Sequence, residues 1–216
     1  MGLVPAPESS MMLVNGPRFT GRETVLYELL GSYTGQTAII STCKTAGKAQ
    51  RQYQIQNGSN DLLTVIDCVS VPAGCPNETG DRHIRAEHPT NLTDIGTRTT
   101  ELFDTTHRAD GVLAVSNLTA ITVYHEPETV LKFVHKLQQL LRGHGWKFVI
   151  GIDTTAAPHE VTAQLYERVD TIVDTRNANG TCEYRIRGSQ TQEDWQPQPA
   201  ALQPATMTAA TTPRRE

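Results

Sequence analysis

Between Met11 and Leu30 the chain reads MMLVNGPRFTGRETVLYELL: a short apolar run, a loop bounded by two glycines, then an amphipathic stretch. Val25, Leu26, Leu29 and Leu30 recur at the spacing of one helix face, so the segment predicts strand, loop and helix in that order. The loop, GPRFTGRE from Gly16 to Glu23, has the frame of a phosphate-binding loop, G-x-x-x-x-G-K-[ST]. Both glycines are in place. Arg22, however, stands where lysine is expected, and Glu23 where a Ser or Thr hydroxyl should hold magnesium.

The two substitutions act differently. Backbone N–H groups between Gly16 and Gly21, including that of Thr20, together with the helix start at Arg22, Glu23 and Thr24, can cradle an anion whatever the side chains are. Arg22 keeps a positive charge, but its planar fork is not equivalent to a lysine ammonium. Glu23 removes a magnesium ligand and sets a carboxylate beside the phosphates. Like charges ~4 Å apart at an effective dielectric of ~20 repel by about 4 kcal/mol. In purely structural terms, Glu23 is also a favourable acid in the first turn of a helix. The loop therefore reads as retained scaffold.

Further along, TAIIST (Thr37–Thr42), LLTVIDCVSV (Leu62–Val71), GVLAVSNL (Gly111–Leu118) and WKFVIGID (Trp146–Asp153) read as buried strands. Helical patterns run from about Ala46 to Gln56, from Asn91 to Thr106, from Glu126 to about Arg142, and from Pro158 to Glu167. Pro72 to Pro89 reads as a long loop, and the span after Leu118 as a polar one. Val169–Arg176 and Thr181–Gly188 form two strands joined through Asn179-Gly180, a hairpin signal. Strands alternating with helices imply a mainly parallel sheet covered on both faces, closed by this antiparallel pair. Residues 1–10 are expected to be a flexible lead-in, 11–188 one domain, and 189–216 a disordered tail rich in Gln, Pro, Ala and Thr.

A net charge of −4 argues against a nucleic-acid footprint, as does an aromatic content of 6% against base-stacking. With no apolar run near 18 residues and no leader pattern, the expectation is a cytoplasmic protein without a membrane span. Lysine is confined to positions 44, 48, 132, 136 and 147, a bias reminiscent of salt-adapted proteins. Cys43, Cys68, Cys75 and Cys182 contain no C-x-x-C pair, so buried or idle thiols are expected in place of a disulfide framework or a metal centre. A Cys68/Cys75/His83 metal set is the one alternative, and it is not favoured. Asp153 and Asp174 near late strand ends read as ordinary loop acids that could instead line a ligand crevice.

The order of elements resembles the RecA/KaiC-like P-loop ATPases, and most of all the compact haloarchaeal RecA-superfamily (HTR-like) signal-transduction proteins. The resemblance is carried by GPRFTGRE, IDCVS (Ile66–Ser70), NLTDIG (Asn91–Gly96), VSNLTAITVYHEPETVLKFVHKL (Val115–Leu137), VDTIVDTR and EYRIRG (Glu183–Gly188), over residues 11–188. It implies an α/β RecA/KaiC-like fold with helices on both faces of a mainly parallel sheet. It also implies that the strand after the first helix should end in glutamates that polarise water, where this chain has STCKT (Ser41–Thr45). The Walker B strand should end Asp-Ser, where alignment through the following Leu-Thr puts Ser116-Asn117. The resemblance places the Asp67 strand between these two.

Magnesium-assisted phosphoryl transfer depends on positioning and charge neutralisation. With the lysine, the hydroxyl, the acid and the glutamate all replaced, the expected protein is a pseudo-ATPase. It needs no cofactor and acts through a protein partner in regulatory signalling, with homo-oligomerisation left open. The rival is a slow ATPase or nucleotide binder that takes ATP with magnesium, using Arg22 with Lys44 or Lys48. Contact regions are expected on the Glu126–Arg142 helix and the Pro72–Pro89 loop.

Overall fold

All six residues of the first strand, β1 (Met11–Gly16), are buried, and their side chains divide between two separate apolar layers. Met11 and Leu13 belong to one layer, Met12 and Val14 to the other. A strand covered on both faces needs continuous apolarity, which is why MMLV shows no alternation. The computed structural model describes residues 9–58, 63–75, 82–105, 110–188 and 194–198.

From β1 the chain passes through α1 (Arg22–Gly31), β2 (Gln36–Ser41), α2 (Ala46–Asn57), β3 (Leu63–Asp67), β4 (His83–Arg85) and α3 (Leu92–Thr105). It continues through β5 (Gly111–Val115), α4 (Thr119–Thr122), α5 (Pro127–Gly143), β6 (Trp146–Asp153) and α6 (His159–Arg168). It closes with β7 (Thr171–Ala178), β8 (Thr181–Gly188) and β9 (Gln196–Pro197). The described strands form a single sheet in the order β4-β3-β2-β5-β6-β1-β7-β8-β9. Pairing is parallel from β4 to β7 and antiparallel from β7 to β9.

The helices segregate by face. Leu26, Leu29 and Tyr53 of α1 and α2 pack with Val65, Val149 and Val173 on one side of the sheet. Ile95, Leu102, Val134, Leu137 and Leu165 of α3, α5 and α6 pack with Ile40, Val115 and Phe148 on the other. Among the described residues no helix is long and apolar enough to cross a membrane.

The mainly parallel sheet, the helix-covered faces and the C-terminal hairpin are as the sequence leads one to expect, and four details are not. The 72–89 span is not all loop, because His83–Arg85 adds β4 to the edge, paired with Val65–Asp67. Three polar-flanked residues carry no readable period; only the neighbouring strand makes them one. The span after Leu118 begins with the single-turn helix α4. β3 lies outside β2, so β2 and β5 are direct neighbours, with Ile40 opposite Val115. The chain steps outward along one face through α2 and returns along the other through α3. Finally, within the expected unstructured tail β9 is paired to Glu183 and Tyr184, and Gln198 is buried. Residues 1–8, 189–193 and 199–216 lie outside the described residues.

Candidate functional site

The glycine-bounded loop connects β1 to α1 as its motif requires, and α1 begins at Arg22 with Gly21 as its N-cap at φ 73°. Gly16, at φ 149°, has no room for a side chain. A Cβ there would lie 2.2 Å from Thr175 Oγ1 and 2.5 Å from the Thr175 carbonyl of β7. Phe19 at the loop tip has φ 63°, a left-handed conformation uncommon outside glycine. The hydroxyl oxygens of Thr20 and Thr175 lie 2.7 Å apart, within donating distance of the Pro17 and Asn15 carbonyls at 2.8 and 3.0 Å, and their two protons are divided among these three contacts. A shallow cleft of about 280 Å³ follows the loop from Pro17 to Thr24.

Each charged side chain of the loop has a partner within the protein. Arg22 turns back and donates from Nη1 to the Gly16 carbonyl at 3.0 Å. Burial lowers its pKa, against the opposing charges of Asp153 and Glu23. Glu23 meets the Lys44 ammonium at 2.8 Å. Arg18, largely exposed, reaches Asp153 Oδ2 at 3.3 Å. Burial works to raise the Asp153 pKa, but hydrogen bonds from Thr155 and the charges of Arg22 and Arg18 outweigh it and hold the carboxyl below its usual range. Asp153 therefore shapes the loop, more than the ordinary loop acid read from sequence. Asp174 is committed elsewhere, to Arg185, Arg187 and Asn15.

The crevice between the carboxyl ends of β2 and β5 lies where the connections switch faces, the place where open α/β sheets take ligands. Here it is laced shut. The Thr42 N–H donates to Ser116 Oγ at 3.0 Å, and Thr42 Oγ1 donates to the Asn117 carbonyl at 2.8 Å. Asn117 Nδ2 faces Cys43 Sγ at 3.6 Å. The Walker B position is thus occupied by a neutral network. The Ser41–Thr45 strand end contributes a lysine in place of a carboxylate.

Magnesium takes near-octahedral oxygen ligands, with a protein carboxylate or hydroxyl beside the phosphates. The set found here is a carboxylate already neutralised by an ammonium, a hydroxyl bonded to backbone, and a guanidinium folded onto the loop's own carbonyl. It does not fit magnesium-nucleotide. Among the described residues no cluster of His, Cys, Asp or Glu could hold a metal, so Cys68, Cys75 and His83 do not form one.

The structure places Gly16, Thr20, Gly21, Arg22, Glu23 and Thr24 at the turn from β1 into α1, with Thr24 in the first turn of the helix. It also sets Ser116 and Asn117 at a strand end. Sequence reasoning missed three contacts. Lys44 pairs with Glu23, Thr175 buttresses Gly16, and Gln198 donates from Nε2 to the Thr20 carbonyl at 3.0 Å. A lysine just past a strand end on the ligand edge was a usable signal for the first. Nothing local signals the other two.

A helix-covered, mainly parallel sheet whose first strand opens through a two-glycine loop into α1 defines a domain of RecA/KaiC-like P-loop fold. Two structures of similar fold come from Pyrococcus horikoshii. The uncharacterized protein PH0321, in complex with an unknown peptide, superposes with a TM-score of 0.62 at 11% identity, over 91% of this chain and 91% of that one. The KaiC-like protein PH0186 gives 0.56 at 10% identity, over 87% and 84%. The chain itself belongs to the family of unknown function DUF7504, which matches residues 9–175. No curated protein matches it.

Proposed function

We propose that this chain is a RecA/KaiC-like domain that does not hydrolyse ATP and works as a regulatory protein-interaction module. In that role it is akin to the haloarchaeal signal-transduction proteins that its sequence resembles, and it works in the cytoplasm. The Glu23–Lys44 ion pair carries the reading, since it sets a paired carboxylate and ammonium where an ATPase needs a metal ligand and a free cationic field. For the partner, α5 is the favoured contact element, because open grooves of about 580 and 560 Å³ flank it, against α6 and α3. A peptide-bearing relative in fold, PH0321, is in keeping with a protein partner.

The test is calorimetric titration of ATP with magnesium, alongside phosphate release, for wild type and for the triple variant Arg22→Lys, Glu23→Thr, Ser116→Asp. Wild type is expected to bind no tighter than millimolar. The variant removes the carboxylate and restores two magnesium ligands, so its affinity should rise at least tenfold, about 1.4 kcal/mol. It should still turn over very slowly, since Ser41–Thr45 carries no carboxylate to orient water. Tight binding and turnover by wild type would refute the proposal. A second reading rests on Lys44: its ammonium could serve phosphates in place of the metal. Wild-type binding of ATP that is undiminished by EDTA would select that reading.

A further inference from the structure

We infer that β9 and Gln198 form a releasable strap that fixes the conformation of the glycine-bounded loop. The strap has two anchors. At its inner end Gln198 is only 2% exposed. Its backbone N–H donates to the Cys182 carbonyl at 2.8 Å, and its side-chain Nε2 donates to the Thr20 carbonyl at 3.0 Å. The amide lies flat on Gly21, where a Cβ would come within 2.0 Å of Gln198 Oε1. At its outer end the Trp195 ring lies 4.0 Å from the Arg176 guanidinium and 4.7 Å from that of Arg185. Glu183 and Asp174 hold those arginines in place at 2.7 and 2.8 Å.

Between the anchors only two residue pairs join β9 to β8. A ladder that short has little stability of its own, so the segment belongs to the low-stability end of the fold and stays in place through its anchors. What it holds is the Thr20–Gly21 peptide. Thr20, whose carbonyl belongs to that peptide, sits between two residues of positive φ, Phe19 at 63° and Gly21 at 73°. In a trans peptide the N–H points opposite to the C=O. Gln198, by pinning the Thr20 carbonyl, therefore also aims the Gly21 N–H. Cys182 adds a second tie from β8, its thiol 3.6 Å from the Phe19 carbonyl. Lifting Trp195 from the two arginines would free the strap, and the loop would relax toward less strained dihedrals. The Trp195 face and the loop are thereby coupled, whatever the loop binds.

The test is hydrogen exchange, read by mass spectrometry, on the full chain and on the variants Gln198→Ala, Trp195→Ala and Trp195→Phe. Both alanine variants should speed exchange of the amides whose acceptors depend on the loop and strap, Val25 N–H on the Gly21 carbonyl and that of residue 198 on the Cys182 carbonyl, by about tenfold or more while α5 stays at wild-type protection. Trp195→Phe, which keeps an aromatic face for the arginines, should stay within about threefold of wild type. Unchanged loop exchange in either alanine variant would overturn the strap. So would an equal rise across α5 and β5, since it would make the segment an ordinary contributor to global stability. Phenylalanine behaving like alanine at 195 would also overturn it.

Discussion

Replacing Asp67 with asparagine removes one charge and almost no volume, at a site with no solvent exposure. The carboxylate sits at the end of β3, accepts four hydrogen bonds, and has the buried His83 Nε2 3.3 Å from its Oδ2. Oδ1 takes the N–H groups of Val69 (2.8 Å) and Ser70 (2.9 Å), and Oδ2 takes the Ala46 N–H (2.7 Å) and the Ser70 hydroxyl (2.5 Å). An asparagine must turn its NH₂ toward one of these pairs. The cheaper choice faces Oδ2, where the Ser70 hydroxyl can reverse and accept. The Ala46 N–H cannot, and it is left opposite another donor. One stranded buried backbone donor, plus the lost charge assistance of the remaining bonds, costs about 2–4 kcal/mol.

With a urea slope of ~2.5 kcal/mol per molar, the unfolding midpoint should fall by about 1–1.5 M. Because Ala46 opens α2, protection of the first turn of that helix should fall with it. The acid limb should change as well. Burial works to raise the Asp67 pKa, but the bonds from Ser70, Val69 and Ala46 outweigh it and depress it. A depressed folded-state pKa means stability that is fully present above the unfolded value of ~3.9 and is lost as pH falls through the folded one. The variant should therefore lose part of its stability difference from wild type below about pH 4. A loss under ~1 kcal/mol at neutral pH, or α2 protection unchanged, would refute the argument.

Gly16→Ala should lower the melting temperature by about 6–12 °C, or prevent folding. Its Cβ meets a Thr175 carbonyl that cannot swing away, and the added clash and strain are worth roughly 3 kcal/mol. Thr175→Ser should not rescue it, and a melting temperature within 2 °C of wild type would contradict the geometry. Thiol labelling of the native protein should begin at exposed Cys43. Burial, with added repulsion from nearby acids, pushes the Cys68 thiol up to about 12, and burial also raises that of Cys182, so both should label only on unfolding. If Cys43→Ser leaves the fastest labelling phase intact, the exposure assignments are wrong.

What the sequence determined is whatever depends on neighbours in the chain. The short, mostly apolar runs at Met11–Val14, Gly111–Val115 and Trp146–Asp153, bounded by turn residues, read as strands buried on both faces. The spacing of Val130, Leu131, Val134, Leu137 and Leu141 can only be one face of a helix. Two glycines between such a strand and α1 fix the loop, because Gly16 and Gly21 need positive φ or absent side chains. Tertiary structure decided the rest. Thr45 makes no side-chain cap for α2, and the acceptor for Ala46 comes from Asp67, 21 residues on. β4 is a strand only because β3 lies beside it, and β3 took its place outside β2 from the path of the crossover helices. Glu23 read as an uncompensated charge because its partner, Lys44, reaches it from another strand end. Gln198 meets the loop from 178 residues away, in a stretch whose composition resembles a disordered tail. Composition reports the average tendency of a segment to bury itself; one amide donated to one carbonyl is a matter of position, and position is settled only when the sheet is assembled.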